Sequence, residues 1–279
     1  MFPPTVIVGL HGVLRRHPWF DRVVTREADA EGSAEGSVEE GVLFLAVDRA
    51  GAYGWQTVSG WLHEGGAVTA AHEPTAWAHE EVGGDWTADG RVRQLAWLGA
   101  GALTDPPRPG LPVRPIALVL SETLRRVGEV TFTGLHALLP LGAAARSTAF
   151  HQTELAPWFA LADPDARHEV LVTVSCRPGD DGATEADADA VRAAVREKAW
   201  DAVELSAPPA RDALPGLDLA LDRTVHTQGM TEAFRFTCTV REWSPDVAVW
   251  LLELTAESLH ERGRRAPTVV TVSLARVPV

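Results

Sequence analysis

The chain is poor in cysteine, in lysine and in long apolar runs. Of its 279 residues two are cysteine, Cys176 and Cys238, and one is lysine, Lys198. Two cysteines are too few for a disulfide scaffold or a zinc finger, and their scarcity fits a reducing cytoplasm. No segment reaches the ~18 consecutive apolar residues of a membrane span. The apolar stretch Thr5 to Leu14 is followed by Arg15-Arg16 instead of a small-residue cleavage site, so it reads as a strand and not a signal peptide. Basic residues number 25 against 38 acidic ones, for a formal net charge of −13. That balance argues against a nucleic-acid partner, whose phosphates need clustered cations, and against anionic membranes. No GxSxG, P-loop or dinucleotide fingerprint is present, so no cofactor is identified.

What remains is a chain with 46% hydrophobic residues, apolar enough for a packed core. Arginine in place of lysine, with heavy use of Ala, Gly, Pro and Asp, points to a GC-rich bacterial gene.

The most informative pattern is an internal echo. Val6 to Leu14, with Gly9-Leu10-His11, resembles Thr131 to Leu139, with Gly134-Leu135-His136. Pro18-Trp19-Phe20 recurs as Pro157-Trp158-Phe159, and Val42 to Val47 resembles Val170 to Ser175. Ser121 to Gly128 resembles Ala256 to Gly263, and each leads into a β-rich segment, Val130 to Leu135 and Val270 to Ala275. Taken together, these matches suggest a duplicated unit.

In the second half, His168 to Cys176, Leu219 to Thr227, Thr231 to Glu242 and Thr268 to Val277 read as strands. One helix starts at Thr184 and carries Val191, Val195 and Ala199. A second starts at Ser244-Pro245 and stops at Gly263. The order β-α-β-β-α-β is the ferredoxin-like split pattern. In the first half Gly41 to Asp48, Arg91 to Gly99 and Glu129 to His136 read as strands, Ser59 to Glu64 as a short helix and Pro115 to Val127 as a longer one. Glu27 to Glu40 and Thr104 to Pro112 read as loops. The expected fold is therefore α+β, with two tandem ferredoxin-like units, residues 1–133 and 134–279, whose antiparallel sheets face each other as in dimeric α/β barrels.

Alternation places Val170, Val172, Val174, Cys176, Phe234, Phe236 and Cys238 toward helices. The opposite face carries Thr173, Ser175, Arg235, Thr237, Thr239, Arg241, Thr271 and Ser273. Facing sheets would make it one wall of a cleft, with Trp97 as part of the apolar wall and Arg235 and Arg241 suited to an anionic ligand. An RNA-binding sheet would instead expose aromatics on this face. Trp55, Trp61, Trp77, Trp86 and Trp97 all fall in the first half, enough for an aromatic wall.

His11 and His136, at matching echo positions, are the candidate acid/base pair, because histidine titrates near neutrality. His63, His72 and His79 lie among carboxylates but lack HExxH spacing, so no metal site is expected. A solitary His151-Gln152-Thr153 lacks the second copy that 2H phosphoesterases need. The expected function is a small-organic-ligand-binding protein, either a binder or a metal-independent enzyme of bacterial metabolism. The ligand-binding residues are Thr173, Ser175, Arg235, Thr237, Thr239, Arg241 and Trp97. The alternative is a non-enzymatic interaction or assembly protein that meets a protein partner.

Overall fold

The computed structural model describes residues 4–22, 38–52, 77–102, 111–143, 155–179, 181–206 and 229–276. The elements in chain order are β1 (Thr5–Arg16), α1 (Val38–Ala52), β2 (Trp77–Gly83), β3 (Arg93–Ala102), α2 (Val113–Val127) and β4 (Gly128–Pro140). They continue as α3 (Ala156–Ala160), β5 (His168–Cys176), α4 (Ala188–Ala199), β6 (Val203–Ser206), β7 (Thr231–Val240), α5 (Pro245–Glu261) and β8 (Pro267–Leu274).

The eight strands among the described residues form one antiparallel sheet in the order β2-β3-β1-β4-β8-β5-β7-β6. This overturns the expectation of two ferredoxin-like sheets that face each other. The halves meet edge to edge where β4 pairs with β8, from Gly134↔Ser273 to Pro140↔Pro267. Backbone hydrogen bonds there satisfy two strands that would otherwise be edges. Among the described residues no second sheet lies opposite this one to form a cleft.

The helices share one side of the sheet. Their apolar stripes meet Val6, Val8, Leu10, Leu98, Leu135, Val172, Phe236 and Val272 in a core that runs through both halves. On α2 the buried positions Val113, Ile116, Ala117, Leu120, Leu124 and Val127 follow the helical period. On α5, Ser244 caps the first turn by accepting from the Val247 amide at 3.3 Å, Pro245 takes the first helical position, and Gly263 ends the element at φ +80. Trp250 is buried on α5 against Phe159 of α3, ring centroids 4.7 Å apart. Ion pairs join the helices. Arg114 on α2 binds Glu253 on α5 at 3.1 Å, and Lys198 on α4 binds Glu257 at 3.0 Å and Glu261 at 2.9 Å.

The run Val42 to Val47, expected as a strand, lies inside α1. Leu43 and Val47, four residues apart, are buried, whereas Phe44 and Leu45 are exposed. That is helical spacing, which an unbroken apolar run conceals. β1 instead takes the place in the first half that β5 takes in the second. Among the echoes, α2 with α5 and β4 with β8 therefore match equivalent elements, and the others do not.

The expected strand Leu219 to Thr227, helix Ser59 to Glu64 and loop 104–110 lie outside the described residues, as do residues 27–37 of the acidic loop. The same holds for His63, His72, His151 to Thr153, Trp55 and Trp61. Among the described residues no helix is long and apolar enough to cross a membrane, and no three His, Cys, Asp or Glu converge as they would on a metal ion.

Candidate functional site

The side of the sheet away from the helices carries the chemistry. Its centre is the pairing of β1 with β4, where the two Gly-Leu-His segments run antiparallel in reciprocal register: Gly9↔His136, Leu10↔Leu135 and His11↔Gly134. The echo seen in the sequence is thus a local two-fold relation between neighbouring strands, with each histidine opposite the other segment's glycine. Bulges flank the pair, because the β1–β4 register skips Thr133 and the β1–β3 register skips Leu95. Bulges re-aim side chains and recur beside functional sites.

His11 Nε2 lies 2.8 Å from His136 Nδ1, with the rings at 62° and their centroids 5.1 Å apart. The contact needs the glycine. A Cβ at Gly9 would stand 2.2 Å from His136 Cε1, closer than any real side chain permits. Both imidazoles are buried, at 0% and 3% exposure. Burial holds His11 down to about 3, and burial together with the neighbouring His11 holds His136 well below the usual imidazole range. Both rings are neutral at pH 7.

A neutral imidazole has one N–H and one lone pair. One ring of the pair donates to the other, so the outer nitrogens, His11 Nδ1 and His136 Nε2, comprise one donor and one acceptor. Exchange of both tautomers reverses those roles without creating a charge. Burial disfavours the imidazolium that a general base must become, which weakens both rings in the acid/base role at neutral pH. The pair is suited to hydrogen bonding and to passing a proton through two neutral rings.

A transverse row extends from the pair across six strands: Trp97 on β3, Gly9 on β1, His136 on β4, Thr271 on β8, Thr173 on β5 and Arg235 on β7. The next row holds Gln94, His11, Gly134, Ser273, Leu171 and Thr237. A third includes Ile7, Leu138 and Val269, a small apolar cluster against which Trp97 and Met230 pack. Among the described residues, two hydroxyls on the strands around this register, Thr133 Oγ1 just before Gly134 and Ser273 Oγ opposite it, are buried without a hydrogen-bond partner. Burying such a group costs about 1–3 kcal/mol.

The other expected ligand-binding residues are more dispersed. Ser175 and Thr239 share the face but sit toward its margins, opposite Glu232 and Glu169 respectively. Arg235 is held by both carboxylate oxygens of Glu232, its Nε at 2.7 Å from Oε1. That bidentate pair consumes the charge assigned to an anionic ligand. Arg241 lies beyond the end of β7 and donates to the Ala160 carbonyl at 3.4 Å, away from the histidines. Trp86 belongs to the helix-side core, where its Nε1 donates to the Leu95 carbonyl at 2.7 Å. Trp86 and Trp97 therefore form no common aromatic wall. Gln94 and Thr133 went unrecognised in the sequence because the bulges break the alternation around them. Glu232 was missed for the same reason, since the β5–β7 register skips Ala233 and brings it to the side of Arg235.

The cysteines are inert packing. Both are buried on neighbouring strands, Cys176 Sγ donates to the Ala183 carbonyl at 3.2 Å, and burial pushes the Cys238 thiol up to about 12. No protein-family model, curated protein or solved structure matches the chain, so the site has to be read from its own geometry.

Proposed function

We propose that the protein binds a small, neutral, polar organic molecule on the sheet face around His11 and His136. The observation that carries this reading is that, among the described residues, the buried hydroxyls Thr133 Oγ1 and Ser273 Oγ have no partner, on strand positions that flank Gly134 opposite His11. Buried polar groups in native proteins are nearly all hydrogen-bonded, so each exception calls for a partner or a role that the fold does not supply. A molecule with both a donor and an acceptor matches the outer nitrogen of His136 and the two hydroxyls. The engagement of Arg235 by Glu232 favours a neutral ligand over an anion. If the protein is an enzyme, the tautomeric relay supports proton transfer between two atoms of such a molecule, without a metal in that step.

The test is a screen of neutral amides, lactams and diols at millimolar concentration, followed through the imidazole resonances of His11 and His136. Some members should perturb both histidines, and Ser273→Ala should weaken their binding about fivefold, the value of one hydrogen bond. If no member reaches either imidazole, or Ser273→Ala binds unchanged, the reading is wrong.

A second reading, as an interaction protein, draws on Trp158 of α3, Leu161 at its C-terminal end and Trp200 of the adjacent segment 200–202, which are 66%, 80% and 64% exposed. Trp200 also has φ 49, a strained backbone for a side chain that gains little burial. On this reading the patch mediates self-association. Sedimentation velocity should then show an oligomer that Trp158→Ser with Trp200→Ser converts to monomer. A monomeric wild type would end that reading.

A further inference from the structure

On the helix side of β1, behind Leu10 and away from the histidine pair, the end of α2, the start of β4 and the start of α5 enclose a cleft of about 430 Å³. That volume lies within the range of small-molecule pockets. The apolar floor consists of Leu10 and Leu124, both buried, and the half-buried Val130 and Phe132. Trp243 backs the floor by stacking on Phe132, centroids 5.2 Å apart, and its Nε1 donates to the Phe132 carbonyl at 3.1 Å. The floor is therefore braced from the second half of the chain.

The polar groups are confined to the rim. Glu129 is paired with Arg15, and that pairing holds its carboxyl below the usual range. The His17 ring stacks on Trp19 with centroids 6.0 Å apart. Ser121 and Arg125, one helical turn apart on α2, project onto the same rim, and among the described residues neither side chain has a hydrogen bond or ion pair. With Glu129 neutralised by Arg15, the uncompensated charge at the cleft is the Arg125 guanidinium.

From this combination we propose that the cleft is a binding site for a small carboxylate with an aromatic or branched apolar body. The body packs on Leu10, Leu124 and Phe132, and the carboxylate is held by Arg125 with help from the Ser121 hydroxyl. A guanidinium is the side chain best shaped to take both oxygens of a carboxylate. This ligand differs in charge from the one proposed for the sheet face, and it occupies the opposite side of β1.

Isothermal titration with 4-phenylbutyrate, indole-3-acetate and octanoate tests the site, with 4-phenylbutanamide as the uncharged control. At least one carboxylate should bind, and the amide should bind about tenfold more weakly than 4-phenylbutyrate, the value of a charge-assisted hydrogen bond. Arg125→Glu alters an exposed side chain and should reduce carboxylate binding by tenfold or more. Ser121→Trp places an indole in the cleft mouth and should abolish it. Retained imidazole shifts at His11 and His136 would show that the sheet-face site is untouched. The proposal is overturned if none of the three carboxylates binds, if the amide binds as well as its acid, or if both variants bind like the wild type.

Discussion

Replacing Gly9 by alanine examines the histidine pair through the residue that makes room for it. The added Cβ would fall 2.2 Å from Cε1 and 2.9 Å from Nδ1 of His136, and 3.0 Å from Nε2 of Gln94. Carbon atoms in contact settle at about 3.5–4 Å, so the ring must retreat by more than an ångström. The retreating ring carries Nδ1, the atom that makes the 2.8 Å contact with His11. That bond is lost, and both rings stay buried with an unpaired nitrogen. Overpacking costs about 1–3 kcal/mol and the orphaned group about 1–3 kcal/mol. Alanine returns about 0.4–1 kcal/mol by restricting the unfolded chain. The net expectation is a loss of about 2–4 kcal/mol in urea denaturation above neutral pH, with an unchanged m-value. Gly41→Ala is the control: nothing lies within 4 Å of its added Cβ, and it sits inside α1, so it should gain about 0.5–1 kcal/mol. A Gly9→Ala loss below about 0.5 kcal/mol would refute the reasoning, because it would show that the ring has space to move.

Three further outcomes follow from the same geometry. Thr133→Val removes a buried, unpartnered hydroxyl at nearly constant volume, so it should stabilise the fold by about 1 kcal/mol, and a comparable loss would show that the hydroxyl is bonded. Asp187 accepts from Arg262 and Arg264 and from the Thr184 amide and hydroxyl at 2.9–3.1 Å. Burial pushes its carboxyl up, but these hydrogen bonds outweigh that and hold it at about 2. Its stabilisation is present above the unfolded-state value near 4 and fades as pH falls through 2. Asp187→Asn should therefore cost about 2–3 kcal/mol at pH 7 and progressively less below pH 4, whereas an equal loss at pH 2 would contradict the linkage. Cys176 and Cys238 should resist a thiol-specific disulfide reagent in the native protein and both react in guanidinium, and rapid native labelling of Cys238 would contradict its burial.

The sequence was most legible where local chemistry decides the outcome. Ser244, Pro245 and Gly263 bound α5 because capping depends on a few neighbouring residues. The alternation in β5, β7 and β8 sorted Val172, Phe236 and Val272 from Thr173, Thr237 and Thr271, because strand period needs no knowledge of partners. Pairing between strands is a different matter. The same alternating faces are compatible with sheets stacked face to face and with sheets joined edge to edge. The choice rests on backbone groups of β4 and β8, which every sequence has. The two histidines stood out in the sequence through the echo, but their mutual contact did not. Gly-Leu-His matched to Gly-Leu-His reads as a tandem copy until the strands are seen to run antiparallel, when each glycine falls opposite a histidine. The bulges at Thr133 and Leu95 hid the remaining neighbours, since one inserted residue inverts the face of everything beyond it.

The central claim is that His11 and His136 form a buried, neutral, mutually hydrogen-bonded pair. The direct measurement is an imidazole ¹H–¹⁵N NMR titration from about pH 8 to about pH 4.5, a window that brackets the usual imidazole value near 6.5. Both rings should keep neutral-imidazole ¹⁵N shifts throughout, because His11 titrates only near 3 and His136 lies well below its ordinary value. In the same window the unfolded chain takes up protons that the native protein refuses. Stability should thus be complete above pH 6.5 and decline below it, by up to about 1.4 kcal/mol per pH unit for each histidine. Titration of either ring near pH 6.5 would contradict the buried pair and the site built on it.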